Sequence, residues 1–289
     1  MQCKLLLSPW KNEFIDVISK TRRELVISSP FVNAGGVGIL AGSIAAKSSV
    51  KVTLITNLSV QNILNEVTVP SALLELHRQF GHVEVSSVGR LHAKVYLRDD
   101  DAAIITSANL TSGGLLNNFE YGVLINEKGV VSAIKDDMSK YFSLGNVCDR
   151  DLLEKVENSA KELAKTRRKV NAAVTAPELT RLLRKGTDKL DVQLLENRVK
   201  GGKTIHAIFC DTILYVLERE GPLDTKTLEF FIQSILPDIC NDSIYRVIHG
   251  ENVGRKWKHQ VRSSQSTLKD KGIIYLKNRK WYLASRPDA

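Results

Sequence analysis

The sequence predicts an α/β fold over its first half, followed by a smaller helical domain that closes on a basic hairpin. Three observations carry that reading. Short β-branched runs alternate with helical segments up to residue 148, a charged stretch without glycine or proline follows, and short helices with two terminal strands end the chain.

Taken in order, Glu24–Val32 and Val50–Thr56 are apolar enough to be buried strands, with a helix between them over Gly38–Lys47. Ser71–Phe80 has helical periodicity and His82–Val88 is again strand-like. Three more strands are expected at Leu91–Leu97, Ala102–Ser107 and Glu120–Ile125, then a helix over Val130–Phe142. Such alternation implies helices packed on a mostly buried sheet.

From Asp149 to Val174, Leu152, Leu153, Val156, Ala160 and Leu163 recur at helical spacing, which predicts a connecting helix. Residues 175–203 contain Gly186, Gly201 and Gly202 and read as a linker. The expected division is thus a first domain over 1–148, a helical linker over 149–203 and a second domain over 204–289. In the second domain, helices are predicted at His206–Glu220, Thr225–Leu236, Ser243–His249 and Lys256–Lys271. Strands follow at Ile273–Leu276 and Lys280–Leu283.

Composition narrows the function. The chain has 289 residues, 43% hydrophobic and 25% charged, as in an ordinary globular protein. No apolar run approaches the ~20 residues of a membrane span, and the apolar stretch within Met1–Pro9 is too short for a signal peptide. These features predict a cytoplasmic protein with no membrane partner. Cys3, Cys148, Cys210 and Cys240 are scattered, without the spacing of a zinc site or disulfide framework, so no metal and no cofactor is expected. The net charge of +9 is concentrated: residues 1–148 hold 14 Lys/Arg against 13 Asp/Glu, residues 149–289 hold 27 against 19. A basic C-terminal half suits nucleic acid, although charge alone fits a merely soluble surface equally.

The chemistry lies in Leu91-His92-Ala93-Lys94-Val95-Tyr96-Leu97-Arg98-Asp99. On a strand His92 and Lys94 share one face, with Ala93, Val95 and Leu97 on the other. The next strand ends in Thr106-Ser107-Ala108-Asn109, offering a hydroxyl and an amide. Lys94 as a point charge, with Ser107 and Asn109 as donors, suits the oxygens of a phosphate.

This pattern resembles the signature of the phospholipase D superfamily, H-x-K-x(4)-D-x(6)-G-S-x-N, met here by His92, Lys94, Asp99, Ser107 and Asn109. Thr106 stands where the signature has glycine. The resemblance implies a phospholipase D-like α-β-α sandwich and a two-step phosphodiester hydrolysis without metal. His92 would form a phosphohistidine, a second histidine would protonate the leaving oxygen, and Lys94, Ser107 and Asn109 would stabilise the equatorial oxygens. Glu120 occupies the place of a residue that orients the histidine in such enzymes, although a solvated strand-end carboxylate is an equal reading. Asp99 is expected to be structural, and Tyr96 to pack.

The mechanism needs two histidines, but His77, His82, His206, His249 and His259 lack a lysine two residues on. Relatives with one motif per chain pair about a two-fold axis, so the resemblance implies a homodimer with a composite active site at its interface.

Between Gly254 and Lys280 nine basic residues face one acid, Asp270. Val261 and Leu268 mark a core stripe, which leaves Arg262, Ser263, Gln265, Ser266 and Lys269 facing outward for bases or backbone. Arg255, Lys256, Lys258, Lys277, Arg279 and Lys280 complete the expected DNA contacts, while Trp257 and Trp281 are expected in the core. Leu268–Ile274 and Trp281–Leu283 resemble the winged helix-turn-helix modules of some restriction endonucleases, and a protein-docking winged helix is the alternative. Together these features point to an endonuclease acting on double-stranded DNA, of restriction type. It would act alone or as the nuclease subunit of a defence complex with a helicase or translocase. A lipid phosphodiesterase and a non-cleaving DNA-binding protein are the other readings.

Overall fold

The computed structural model describes residues 3–170, 204–237, 239–248 and 251–284. The chain folds as two units, Met1–Asn197 and Arg198–Ala289.

The first unit is built on an eight-stranded sheet, with strand order β1-β7-β6-β5-β2-β3-β4-β8. The strands are β1 (Cys3–Leu7), β2 (Glu24–Ser28), β3 (Lys51–Thr56), β4 (His82–Ser87), β5 (Val95–Arg98), β6 (Ala102–Thr106), β7 (Tyr121–Ile125) and β8 (Asn146–Val147). Strands β2, β3 and β4 are parallel, and the other neighbours pair antiparallel.

Side-chain alternation sorts the strands onto two cores. Leu25, Ile27, Tyr96 and Ile104 join α1 (Lys11–Ile18), α2 (Ala34–Ser43), α3 (Val60–Leu64), α4 (Pro70–Gln79) and α6 (Arg150–Val170). Val26, Val95, Leu97 and Ala103 face the other way, onto Val131 and Met138 of α5 (Lys128–Leu144). The result is the α-β-α sandwich the sequence predicts.

Strand β2 ends at Ser28 and not Val32, α2 ends at Ser43 and not Lys47, and two element starts differ from expectation for identifiable physical reasons. Helix α2 begins at Ala34 and not Gly38, because Asn33 Oδ1 accepts the Gly36 backbone N–H at 3.0 Å and caps the helix there. Gly36 also lets the helix start meet the main chain, since a Cβ there would lie 2.2 Å from the Leu110 carbonyl oxygen. Strand β5 begins at Val95 and not Leu91. Its neighbour β2 ends at Ser28, opposite Val95, and Pro30 beyond it has no N–H to continue the ladder. Residues 91–94 therefore run as irregular chain. Sequence periodicity also passed over β1, α1, α3 and β8.

The second unit contains α7 (Ile205–Glu220), α8 (Thr225–Ile235), a hairpin of β9 (Tyr245–Ile248) and β10 (Glu251–Arg255), α9 (Lys256–Asp270), and a hairpin of β11 (Ile274–Lys277) and β12 (Lys280–Leu283). Phe209, Ile213, Leu228, Ile232, Trp257, Val261, Leu268 and Trp281 form its core. Asp224 caps α8 by accepting from the Lys226 and Thr227 amides. Residues 245–248 are a strand, where a helix was expected over Ser243–His249: Val247 pairs with Asn252 and Ile248 with Glu251. Short β-branched segments of this kind fit either period. The linker expected over 175–203 lies outside the described residues.

Candidate functional site

Topology gathers the motif residues at one end of the sheet. The parallel strands β2–β4 run toward that end, β5 and β7 start from it, and β1 and β6 finish there. His92 and Lys94 precede β5, Ser107 and Asn109 follow β6, and Glu120 precedes β7. Sites in α/β sheets favour this position, beyond the carboxyl ends of the parallel strands.

His92 is exposed and Lys94 is buried. The Lys94 ammonium donates to the His92 carbonyl oxygen at 2.8 Å and stands 3.2 Å from both ring nitrogens, so it can meet whichever carries the lone pair. The irregular chain around them is pinned on both sides. The Ser28 hydroxyl donates to the Ala93 carbonyl at 3.0 Å, and the Thr106 amide donates to the Lys94 carbonyl at 3.1 Å. Burial pulls the Lys94 pKa below the ordinary lysine value, and the nearby Glu120 carboxylate partly opposes that shift.

Ser107 and Glu120 form the second half of the site. The Ser107 hydroxyl donates to Glu120 Oε2 and accepts the Tyr121 amide. Asn118 Nδ2 donates to Glu120 Oε1 at 3.1 Å. The expected pairing of Glu120 with His92 is thus replaced by bonds to Ser107 and Asn118. Asn109 Oδ1 is buried without a hydrogen-bond partner, a polar atom left for a ligand or water.

Thr106 fits where the signature has glycine because its cross-strand partner is Gly122. A Cβ on Gly122 would lie 2.7 Å from Thr106 Cβ and 2.7 Å from the Ile105 carbonyl oxygen. The glycine has in effect moved across the ladder.

Asp99 sits at the far end of β5, away from this cluster. Its carboxylate accepts the backbone amides of Arg22, Arg23 and Glu24 at 3.1, 2.8 and 2.9 Å, which ties the β5–β6 turn to the start of β2. Burial raises its pKa, but those three bonds and Arg23 outweigh it and hold the carboxyl below the usual range.

Three supporting groups were not read as part of the site, although Tyr96 was expected to pack. Tyr96 is fully buried, edge-on to Phe14 at 5.2 Å, and its hydroxyl donates to the Ala108 carbonyl between Ser107 and Asn109. Ser8 accepts the Glu120 amide at 2.7 Å and donates to the Asn118 carbonyl at 2.9 Å. Asn118 is the third. Pairing of β1 with β7 brings Ser8 to residues about 110 positions away, a separation no local pattern encodes.

In the second unit the expected DNA-contacting residues divide. Lys256, Ser263, Lys269, Lys277, Arg279 and Lys280 are exposed. Gln265 is buried at 2% exposure and is corrected to a core-facing residue, because Trp257, Val261, Ser264, Gln265 and Leu268 together form the inner stripe of α9. Lys258 and Arg262 lie 2.9 and 3.6 Å from the buried Glu229 carboxylate of α8. Arg255 lies over the Tyr245 ring at 4.2 Å. Trp257 and Trp281 are in the core as expected.

Among the described residues no helix is long and apolar enough to cross a membrane, and no group of three His, Cys, Asp or Glu side chains is placed to hold a metal.

Residues 14–143 match the family model described as "Cardiolipin synthase, PLD-like domain". The major cardiolipin synthase ClsA of Bacillus subtilis (strain 168) is 27% identical over 163 residues, 53% of this chain. The chain spans only 33% of that relative's length. Among solved structures, NucT from Helicobacter pylori is similar with a TM-score of 0.41 at 19% identity, covering 50% of this chain and 97% of that one. Nuc from Salmonella typhimurium, a phospholipase D family member, gives a TM-score of 0.44 at 15% identity over 50% and 97% of the two chains. Every motif residue from His92 to Glu120 lies within the segment that matches the PLD-like domain model.

Proposed function

We propose that the chain is a metal-independent DNA endonuclease that works through a phosphohistidine intermediate. The observation that carries this reading is the convergence of His92, Lys94, Ser107, Asn109 and Glu120 at one end of the sheet, in a chain whose other unit is strongly basic. A His92 ring nitrogen attacks phosphorus in line, and the bond from phosphorus to the leaving oxygen breaks. That oxygen takes a proton from a second histidine. Water, deprotonated by the same histidine, then attacks phosphorus and breaks the P–N bond. Lys94 and donors from the Ser107–Asn109 loop stabilise charge on the non-bridging oxygens, a role a metal ion fills in other nucleases.

The second histidine is His92 of a second copy. Helix α5 covers β2, β3, β4 and β6 and its core reaches β7 at Ile125, while further along the same face β1 and β7 carry exposed apolar side chains. Leu5 and Leu7 are each 57% exposed there, as is Tyr121 opposite Leu7, and Phe119 beside Glu120 is fully exposed. An apolar face next to half a catalytic site is the expected form of a two-fold interface. The basic residues of α9 and of the β11–β12 hairpin would then hold double-stranded DNA in winged-helix fashion, with site selection intrinsic, as in a restriction enzyme, or supplied by a helicase or translocase subunit.

Plasmid cleavage in the presence of EDTA tests the reading. Discrete fragments would indicate intrinsic sequence selection, and a smear would assign it to a partner. The similarity to a cardiolipin synthase favours a second reading, phosphatidyl transfer, for which the exposed Phe119 and Leu116 would meet lipid. Turnover of phosphatidylglycerol vesicles with no action on DNA would favour that alternative.

A further inference from the structure

The β11–β12 hairpin is more than a basic projection. Tyr275 pairs directly with Tyr282, and Lys277 pairs with Lys280. Residues two apart on a strand share a face, so both tyrosines and both lysines lie on one side. The other side carries Ile274, Leu276, Trp281 and Leu283, of which Ile274 and Trp281 are buried in the core. The tyrosine–lysine face therefore points away from the core. Its two rings are stacked, with centroids 5.1 Å apart and planes 13° from parallel, and Tyr275 is 43% exposed. Arg279 adds a third cation at the tip, in a two-residue turn where Asn278 and Arg279 both have positive φ. Unlike Lys258 and Arg262, which lie against Glu229, these three cations are exposed on the hairpin.

A preformed aromatic stack with three cations on its tip side matches the chemistry of unpaired nucleotides. An unstacked base offers a π-face to extend the ring stack, and the phosphates on either side meet the cations. Duplex DNA offers the phosphates but hides its base faces. We infer that this hairpin face binds single-stranded DNA, with a base stacked on Tyr275 and the flanking phosphates held by Lys277, Arg279 and Lys280. The inference rests on reading the second unit as a nucleic-acid binder. To the contact of its cations with duplex phosphates it adds, through the tyrosine stack, a preference for melted or frayed strands that cations alone would not give.

The test is fluorescence anisotropy of the full chain with labelled oligothymidine of about 20 nucleotides and, separately, a duplex of the same length. Tyr275→Ala is expected to weaken single-strand binding by about tenfold and leave duplex binding unchanged, while Tyr275→Phe keeps both. If Tyr275→Ala lowers the melting temperature, the exposed double change Lys277→Gln/Lys280→Gln serves in its place. It should weaken single-strand binding and flatten its salt dependence. Duplex binding without single-strand binding, or equal single-strand affinity for wild type and variants, would overturn the inference but leave the endonuclease reading intact. Binding of neither DNA would overturn the inference and remove the basis for a DNA-directed reading of the second unit.

Discussion

The two units treat a buried charge in opposite ways. In the first, Lys94 is buried beside an exposed histidine and keeps its hydrogen bonds to that residue alone, so its charge stays available at the site. In the second, Glu229 is buried between α8 and α9 and draws Lys258 and Arg262 onto itself, so two cations that look free in the sequence are partly neutralised. A cation set into a cleft serves chemistry, whereas a carboxylate set under a helix organises that helix. Counting charges along the chain does not separate the two uses.

The comparison breaks most visibly at Lys94. Lys94→Ala should lower kcat for phosphodiester cleavage by about 10²–10³ with little change in KM, since its charge is needed chiefly in the transition state. The alkaline limb of the pH–rate profile should lie below the ordinary lysine range, because burial lowers the Lys94 pKa. Glu120→Gln should move that limb lower still, since the carboxylate works to raise it. An alkaline limb unmoved by Glu120→Gln would detach Lys94 from the chemistry.

Next in size is Gly122→Ala, which forces a Cβ against Thr106 and the Ile105 carbonyl. About 2 kcal/mol of stability should be lost in denaturant titration, with only part restored by Thr106→Gly, because the backbone clash remains. Glu229→Gln should cost somewhat less, about 1–2 kcal/mol, since Lys258 and Arg262 keep access to water. The same change should steepen the salt dependence of DNA binding by freeing two cations, and a flat response would deny them any role in binding.

The smallest effect belongs to Asp99→Asn. Asparagine tolerates the positive φ of 46° and keeps an oxygen for Arg23 and Glu24, so the charge and the bond from the Arg22 amide are lost, at about 1 kcal/mol near neutral pH. The folded-state pKa of Asp99 is lowered, so its contribution is present above the unfolded value and lost as pH falls through the folded one. Wild type and variant should therefore converge in acid, and a constant difference would mean that charge is not what Asp99 supplies.

The legible part of the site was the part encoded by short spacing. His92 and Lys94 immediately precede β5, and Ser107 and Asn109 immediately follow β6, so their order fixes their neighbourhood once the two strands pair. Ser8, Tyr96 and Asn118 were not legible as supports, because a buried tyrosine or a loop serine gains its partner only through β1–β7 pairing and the packing of α1. Within the second unit the helix over 256–270 was readable but the burial of Gln265 was not. Gln265 lies four residues after Val261 and three before Leu268, on the inner face those two define, and its polarity rather than its spacing led to the outward reading. The hairpin at 245–255 failed for a different reason, since its short apolar run carries no period of its own.

The central claim is that His92 attacks phosphorus without a metal ion. Its most direct test is cleavage of plasmid DNA by the intact chain in EDTA, compared with His92→Ala. The account predicts cleavage that persists in EDTA, disappears in the variant, and passes through an acid-labile, base-stable covalent adduct joining the protein to a DNA end through phosphorus when the reaction is quenched. Cleavage that requires a divalent cation, or that survives His92→Ala, would contradict it.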